Sequence, residues 1–298
     1  MKSPTPGAEE YHIAWITALP IELSAATTML DEEYASRVGR HNIVLVCLPA
    51  GQIGTSSTAT TVAEMKSKFP ALQIGLLVGI GGGVPSSNAD VRLGDVVISQ
   101  PQRGHGGVIQ YDFGKIGPGG KHIPTGFVYA PPAILLSAIT RLKSNQFLGR
   151  SSLGSHLQCL APFPAFQRQN AGADVLFQAD YEHPGGPNCD GCRKDMEIIR
   201  PSRDGHGIVL HYDGKTRDGL SAEFGGILCF EMEAAGLLNF LPCIVIRGIC
   251  DYADSHKNKM WHPYAAGNAA ACAKELLTYS WYWQGPKDAR GHPCEDSG

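Results

Sequence analysis

The sequence predicts an α/β fold: one domain of three layers, with a mixed, mainly parallel central sheet flanked by helices. Two observations carry this reading. Short apolar, β-branched runs alternate with helical patterns along most of the 298 residues, the signature of strands joined by crossover helices. No linker or internal repeat divides the chain, and a hydrophobic fraction of 43% is enough for a sizeable core.

The elements follow in order. Residues 1–10 (MKSPTPGAEE) read as a disordered tail, and 11–19 (YHIAWITAL) as a first strand. Pro20 sits at the first position of a helix, where a missing N–H is harmless. Residues 43–48 (IVLVCL) form the next strand, and 51–70 a glycine-rich turn feeding a helix that stops at Pro70. IGLLVGI (74–80) reads as a fully buried strand, GDVVIS (94–99) as another, and 132–144 as a helix. Residues 171–225 are irregular, mixing Pro, Gly, Cys and charge. Strand character returns at 226–230, helix at 231–241, a long strand at 243–250 and a terminal helix at 262–283. The domain is thereby bounded at 11–284, with 285–298 a polar tail.

Composition excludes several function classes. A formal net charge of −3 argues against a polymeric nucleic-acid partner, whose phosphates require a basic face. No apolar stretch reaches the roughly 18 residues of a membrane span. The run from Ile13 to Leu19 is too short for a secretory signal. Nine cysteines, an odd number set in strand-like runs, suit buried thiols in a reducing, cytoplasmic setting better than a disulfide framework.

In open sheets of this kind ligands bind beyond the carboxyl ends of the strands. Four such ends carry chemistry-bearing residues. Glu22, just after the first strand, either complements the positive end of a helix or acts as a general base at the crevice. Gly81, Gly82 and Gly83 form either a plain tight turn or a backbone approach to a ligand. They complete no dinucleotide fingerprint, since Val84 stands where its last glycine belongs, and no P-loop is present, since Val209 replaces its leading glycine. Glu231 and Glu233 share a face only if extended, and a carboxylate there could grip the vicinal hydroxyls of a ribose; a solvated helix start is the alternative. Asp251 closes a hydrophobic strand, where a carboxyl is either a cap or, kept protonated by burial, a proton donor to a leaving group. Arg247, inside the same strand, needs an acidic or carbonyl partner if buried.

The runs Ile13–Glu22, Gly79–Gly83, Phe230–Gly236 and Ile246–Asp254 together closely resemble the purine nucleoside phosphorylase/uridine phosphorylase superfamily. Within it the pattern is most like methylthioadenosine/S-adenosylhomocysteine nucleosidases and fungal nucleosidase-like domains. The resemblance covers about residues 11–280 and implies a phosphorylase-like fold and cleavage of the N-glycosidic bond of a purine nucleoside, with adenine as the expected base. It implies that Glu22 activates water, that Met232 and Glu233 hold the ribose, that Asp251 protonates the purine at N7, and that backbone at Gly81 and Gly82 lines the sugar. Arg247 joins the binding set, and no cofactor is required. A homo-oligomer is implied by analogy alone.

Two departures from the family stand out. The stretch after His211-Tyr212, which helps form the base pocket in relatives, is short, and Cys250 replaces the more usual Ser beside Asp251. Separately, His183, Cys189 and Cys192 make a zinc half-site with His206 or His211 downstream, or else an irregular loop with free thiols. Four functions follow: a purine nucleosidase using water; a phosphorylase, which needs a cationic clamp for phosphate where this chain has Glu22; a nucleotide nucleosidase accepting AMP, ADP or ATP, with Arg103, His105 and Lys115 as phosphate contacts or solvated loop charges; and a catalytically degenerate binding module.

Overall fold

The computed structural model describes residues 6–33, 36–86, 89–102, 105–110, 114–116, 122–124, 128–186, 188–203, 208–211 and 227–280. Its strands are β1 (Ile13–Thr17), β2 (Arg37–Val38), β3 (His41–Cys47), β4 (Ile74–Gly83), β5 (Val96–Ile98), β6 (Gly114–Ile116), β7 (His122–Pro124), β8 (Leu210–His211), β9 (Cys229–Phe230) and β10 (Cys243–Asp251). Its helices are α1 (Pro20–Met29), α2 (Thr55–Lys68), α3 (Ala133–Phe147), α4 (Leu153–Gln158), α5 (Ala234–Leu237) and α6 (Trp261–Tyr279).

The main sheet runs β2-β3-β1-β4-β10-β5-β8, with β9 pairing β4 beside that path, while β6 and β7 form a separate hairpin. Its centre (β3, β1, β4, β10) is parallel. β5 pairs antiparallel with β10, so the residues that open β5 reach the end of the sheet where β10 closes. This is the mixed, mainly parallel sheet expected from the alternating pattern.

Burial explains why the apolar runs became the inner strands. Every residue of β1 and of β10 is buried, as strands covered on both faces must be. One core packs α1, α3 and α6 against Trp15, Leu76, Val78 and Ile244. A second packs Val62 and Met65 of α2 and Leu237 of α5 against Ile16, Leu77 and Val245. Helix α6 lies flat on β10, and a Cβ at Gly248 would fall 1.9 Å from the carbonyl oxygen of Ala265, so backbone meets backbone there. Among the described residues no helix is long and apolar enough to cross a membrane.

Several expectations change in detail. Gly81–Gly83 are not a turn: β4 continues through them and pairs with both β10 and β9. Ala8–Glu10 form a 3-10 turn closed by the Gly7 N–H on Glu10 Oε1 at 2.5 Å, where the composition reads as a tail. The helix read over 231–241 shortens to Ala234–Leu237, because Glu231 and Glu233 face an arginine instead of solvent. Helix α4 and strands β2, β6 and β7 carry no clear sequence signal. The short stretch after His211-Tyr212, the polar tail at 285–298 and His206 lie outside the described residues.

Candidate active site

Glu22 is the third residue of α1, 3% exposed. Its Oε2 accepts the Ala18 and Leu19 N–H groups at 2.7 and 3.0 Å, capping its own helix. Its Oε1 crosses to β4 and accepts the Ile80 N–H at 2.8 Å. Glu22 thus caps its helix, as one reading had it, and also reaches the strand end. A carboxylate offers about four acceptor positions; with three donors bound, room for one further donor remains. A Cβ at Gly79 would come within 2.4 Å of Glu22 Oε1 and 2.5 Å of Arg247 Nη1, so only glycine lets β4 pass between them.

Arg247 is 2% exposed, and its partners are those its burial demanded. Nη2 donates to Glu231 Oε2 at 2.5 Å and to Glu233 Oε2 at 3.1 Å, and Nη1 to the Ile80 carbonyl at 3.4 Å. Burial by itself would depress the arginine; Glu231, Glu233 and Glu22 outweigh it and raise it above its ordinary value. Glu231 also accepts the Glu233 and Ala234 N–H groups, which fixes it as the cap of α5. The Glu233 carboxylate meets Arg247 and the Met232 backbone N–H. Burial pushes its carboxyl up; Arg247 opposes this, and Glu231 and Glu22 reinforce it. Arg247 Nε is buried with no partner among the described residues. The Met232 side chain, in contrast, is 57% exposed.

Asp251 ends β10 after a bulge: Ile249 pairs with Gly81 and Asp251 with Gly82, so two steps on β10 match one on β4. The bulge takes Asp251 out of the alternation followed by Arg247 and Ile249, a common way to re-aim a site residue. Its Oδ1 accepts the Ala253 N–H at 2.8 Å, and Lys257 Nζ lies 3.9 Å from Oδ2. The Cys250 thiol donates to Asp251 Oδ2 at 3.5 Å and to the Gly81 carbonyl at 3.6 Å. A Cβ at Gly82 would fall 2.8 Å from Asp251 Oδ1, and one at Gly81 2.4 Å from Cys229 Sγ. These two glycines thus admit neighbouring protein groups.

The strand ends gather Glu22, Gly81, Gly82, Glu233, Arg247 and Asp251 around the last turns of β4. Sequence reasoning missed Gly79, and it missed His262. That imidazole, in the first turn of α6, is lowered by burial while Asp251 and Glu22 pull it up, which places it in the field of both carboxylates. The Trp-His-Pro at the start of the terminal helix was the available signal. A cavity of about 120 Å³ opens on the β5 side, lined by Ser99, His105, Phe230, Glu231 and Arg247 among others. It is small beside the roughly 300–1,000 Å³ of ligand pockets, and Glu22 and Asp251 do not line it. The candidate site is therefore the strand ends, which share Arg247 and Glu231 with this cavity. Lys115 is exposed on β6, and Arg103 lies outside the described residues.

This architecture matches solved structures over nearly their whole length. The 5′-methylthioadenosine/S-adenosylhomocysteine nucleosidase of Helicobacter pylori superposes with a TM-score of 0.54 at 15% identity, covering 92% of this chain and 99% of that one. The chain has the purine nucleoside phosphorylase/uridine phosphorylase fold. A putative nucleosidase of the same kind from Francisella philomiragia matches at 0.53 and 17% identity, covering 90% of this chain and 98% of that one. A mutant futalosine hydrolase from H. pylori matches at 0.54 and 16%, covering 90% and 99%. In sequence, a nucleotide-binding leucine-rich repeat-like protein of Hyaloscypha variabilis is 39% identical over 93% of this chain. The ATP nucleosidase Cap17 of Escherichia coli is 24% identical over 89% of it. The chain spans 30% of the length of the fungal relative and 51% of the bacterial one. No protein-family model matches the chain.

Proposed function

We propose that this domain hydrolyses the N-glycosidic bond of a purine nucleoside, releasing the free base and ribose. The observation that carries the reading is the convergence of two carboxylates, Glu22 from α1 and Asp251 from β10, on the end of β4. Glu22 is anchored at the Ile80 level of β4 and Asp251 at the Gly82 level. An acid and a base on opposite sides of the bond being cleaved are the pair that glycosidic hydrolysis with water requires.

The roles follow from what each group can still do. Glu22 has an acceptor position free for a water O–H and takes its proton as the water attacks the anomeric carbon. Asp251 delivers a proton to the departing base at N7. Glu233 accepts the ribose hydroxyls, and Arg247 with Glu231 holds it in place. Gly81 and Gly82 admit Cys229 and Asp251 to the strand end, and Met232 presents its exposed side chain to the substrate. Phosphate is disfavoured as nucleophile because Glu22 would repel it.

A second reading accepts nucleotides through the same centre. It is favoured by the likeness to an ATP nucleosidase, and it keeps the roles of Glu22, Glu233 and Asp251 unchanged.

The test is product analysis with adenosine, AMP and ATP, in phosphate-free buffer and with phosphate added. Free ribose or ribose phosphate, with adenine, is expected without added phosphate, and Glu22→Gln should remove about 10²–10⁴ of the rate. Ribose 1-phosphate formed only when phosphate is present, or an unimpaired Glu22→Gln enzyme, would replace the hydrolase by a phosphorylase. Binding of all three compounds without cleavage would leave a binding module.

A further inference from the structure

The loop that follows Tyr181 carries a cluster outside the proposed reaction centre. His183, Cys189 and Cys192 bring one ligand atom each to within 4.8 Å of one another. Ligands on a tetrahedral zinc ion, with Zn–S near 2.3 Å and Zn–N near 2.0–2.1 Å, stand roughly 3.5–3.8 Å apart. Small side-chain adjustments close that gap.

The local backbone is set for such a site. Cys192 N–H donates to the Cys189 carbonyl at 3.0 Å, so the two thiols project from one tight turn. Asn188 and Asp190 brace the turn, with Asn188 Nδ2 donating to Asp190 Oδ2 at 2.7 Å. The Gly185 N–H donates to His183 Nδ1 at 3.0 Å, which makes that nitrogen the unprotonated one. Nε2 therefore carries the hydrogen and donates to the Asn188 carbonyl at 2.9 Å. A backbone carbonyl on one ring nitrogen is how metal-bound histidines are oriented, and a metal would take the Nδ1 lone pair in place of the Gly185 N–H.

A second, independent observation points to a ligand. The His256 side chain is 3% exposed, and neither of its ring nitrogens has a hydrogen-bond partner among the described residues. Buried polar groups without partners are rare and need a reason. Its ring stacks on Phe177 at 4.2 Å and stands edge-on to His183 at 5.3 Å, with Asp254 Oδ2 3.8 Å from Nδ1. Further, none of the described residues from 181 to 197 is buried. A segment without a core needs another fastening, and His183 N–H already ties it to Ser255 Oγ at 3.0 Å.

We propose that His183, Cys189 and Cys192, whose ligand atoms already lie within 4.8 Å of one another, bind one structural zinc ion and that His256 turns in as its fourth ligand, which fastens this loop to the segment immediately after Asp251. The thiols lose their protons to solvent on binding, and no redox step is involved. The site is separate from the glycosidic chemistry and stands or falls independently of it.

The experiment measures zinc by mass spectrometry in the full chain, purified without added metal and again after incubation with equimolar Zn²⁺. About one equivalent is expected. A Cys189→Ser/Cys192→Ser variant should retain under a tenth of it, and Cys159→Ser, which alters an exposed thiol elsewhere, should retain all of it. His256→Ala should weaken zinc retention against a competing chelator by about 10-fold or more; unchanged retention removes His256 from the set. Replacing zinc with Co²⁺ in the unmutated chain should give the intense visible bands of a tetrahedral thiolate site, a readout that survives if the double variant fails to fold. No metal in the unmutated chain, full metal in the double variant, or a Cys189–Cys192 disulfide in protein prepared without oxidant would overturn the proposal.

Discussion

Two arginine–carboxylate clusters sit at the same end of the sheet, one around Asp95 and one around Arg247, and they differ in how fully their bonds are used. Asp95 accepts Arg203 Nη1 and Nη2 at 2.7 and 2.8 Å, His211 Nε2 at 2.9 Å, the Arg92 N–H at 2.8 Å and the Val209 N–H at 3.3 Å. Arg200 is equally engaged, by Asp174, Tyr252 and the Val91 carbonyl. Asp95, Arg200 and Arg203 are each held by several protein partners. In the other, Glu233 meets only Arg247 and the Met232 N–H among the described residues, Arg247 Nε has no partner among them, and Glu22 keeps room for one donor. Charge density alone does not distinguish a site from a brace; unused hydrogen-bonding capacity does.

The largest expected effect comes from Asp251→Asn, which keeps the Ala253 contact but carries no transferable proton. Its turnover of purine nucleosides should fall by about 10²–10⁴. A p-nitrophenyl riboside, whose leaving group needs no proton, should keep most of its rate. Equal loss on both substrates would mean that Asp251 is only a cap, like Asp95.

Asp95→Asn should break the brace instead. Removing one charge from a buried pair costs about 3–5 kcal/mol, read as a lower denaturation midpoint, with kcat of the folded fraction unchanged. Burial works against the Asp95 charge, but His211 and Arg203 outweigh it and hold its carboxyl below the ordinary range. Its contribution is therefore complete above the ordinary carboxylate range and is lost as acidification reaches the lowered value. The variant should show a flattened acid limb of stability. A loss of kcat at full stability would dissolve the contrast between the clusters.

Glu233→Gln tests the opposite sign. Because burial raises this carboxyl, the folded chain holds its proton where the unfolded chain has released it, and ionised Glu233 lowers stability at neutral pH. The variant should be as stable as the parent or more so, with a higher KM. In the parent, KM should climb on acidification at a pH above the ordinary carboxylate range, and Gln should remove that climb. A 2′,3′-dideoxy substrate should be indifferent to the change. Smallest is Cys250→Ser, where a hydroxyl replaces the weak thiol bond to Asp251; a change of about 0.5–1.5 kcal/mol in the barrier is expected, seen as a few-fold shift in kcat.

The inner strands were legible because burial on both faces demands uninterrupted apolar, β-branched runs, as in Ile13–Thr17 and Cys243–Asp251. The edges were not. β2 and β8 are two residues each, held by pairing that no local pattern records. The antiparallel entry of β5 was equally hidden, since GDVVIS reads the same in either direction of pairing. At the site, Glu22, Glu233, Arg247 and Asp251 were visible as charges at the ends of apolar runs. The glycines misled: a run of three suggests a turn, whereas here each missing side chain makes room for Cys229, Asp251 or Ile249 across a continuing strand. Cys189 and Cys192 were legible from spacing, but His256 comes from a distant part of the chain, so only folding sets it beside His183.

Gly248 gives the sheet and its longest helix a common fulcrum. With Ala265 resting directly on the strand, α6 behaves as a rigid rod pressed to β10 one turn from its own beginning. Even a methyl group at 248 would lift the rod, and its near end, which bears His262, would swing away from Asp251. Residue 248 touches no substrate in this arrangement, yet it sets the width of the crevice as a hinge pin sets the gap of a door.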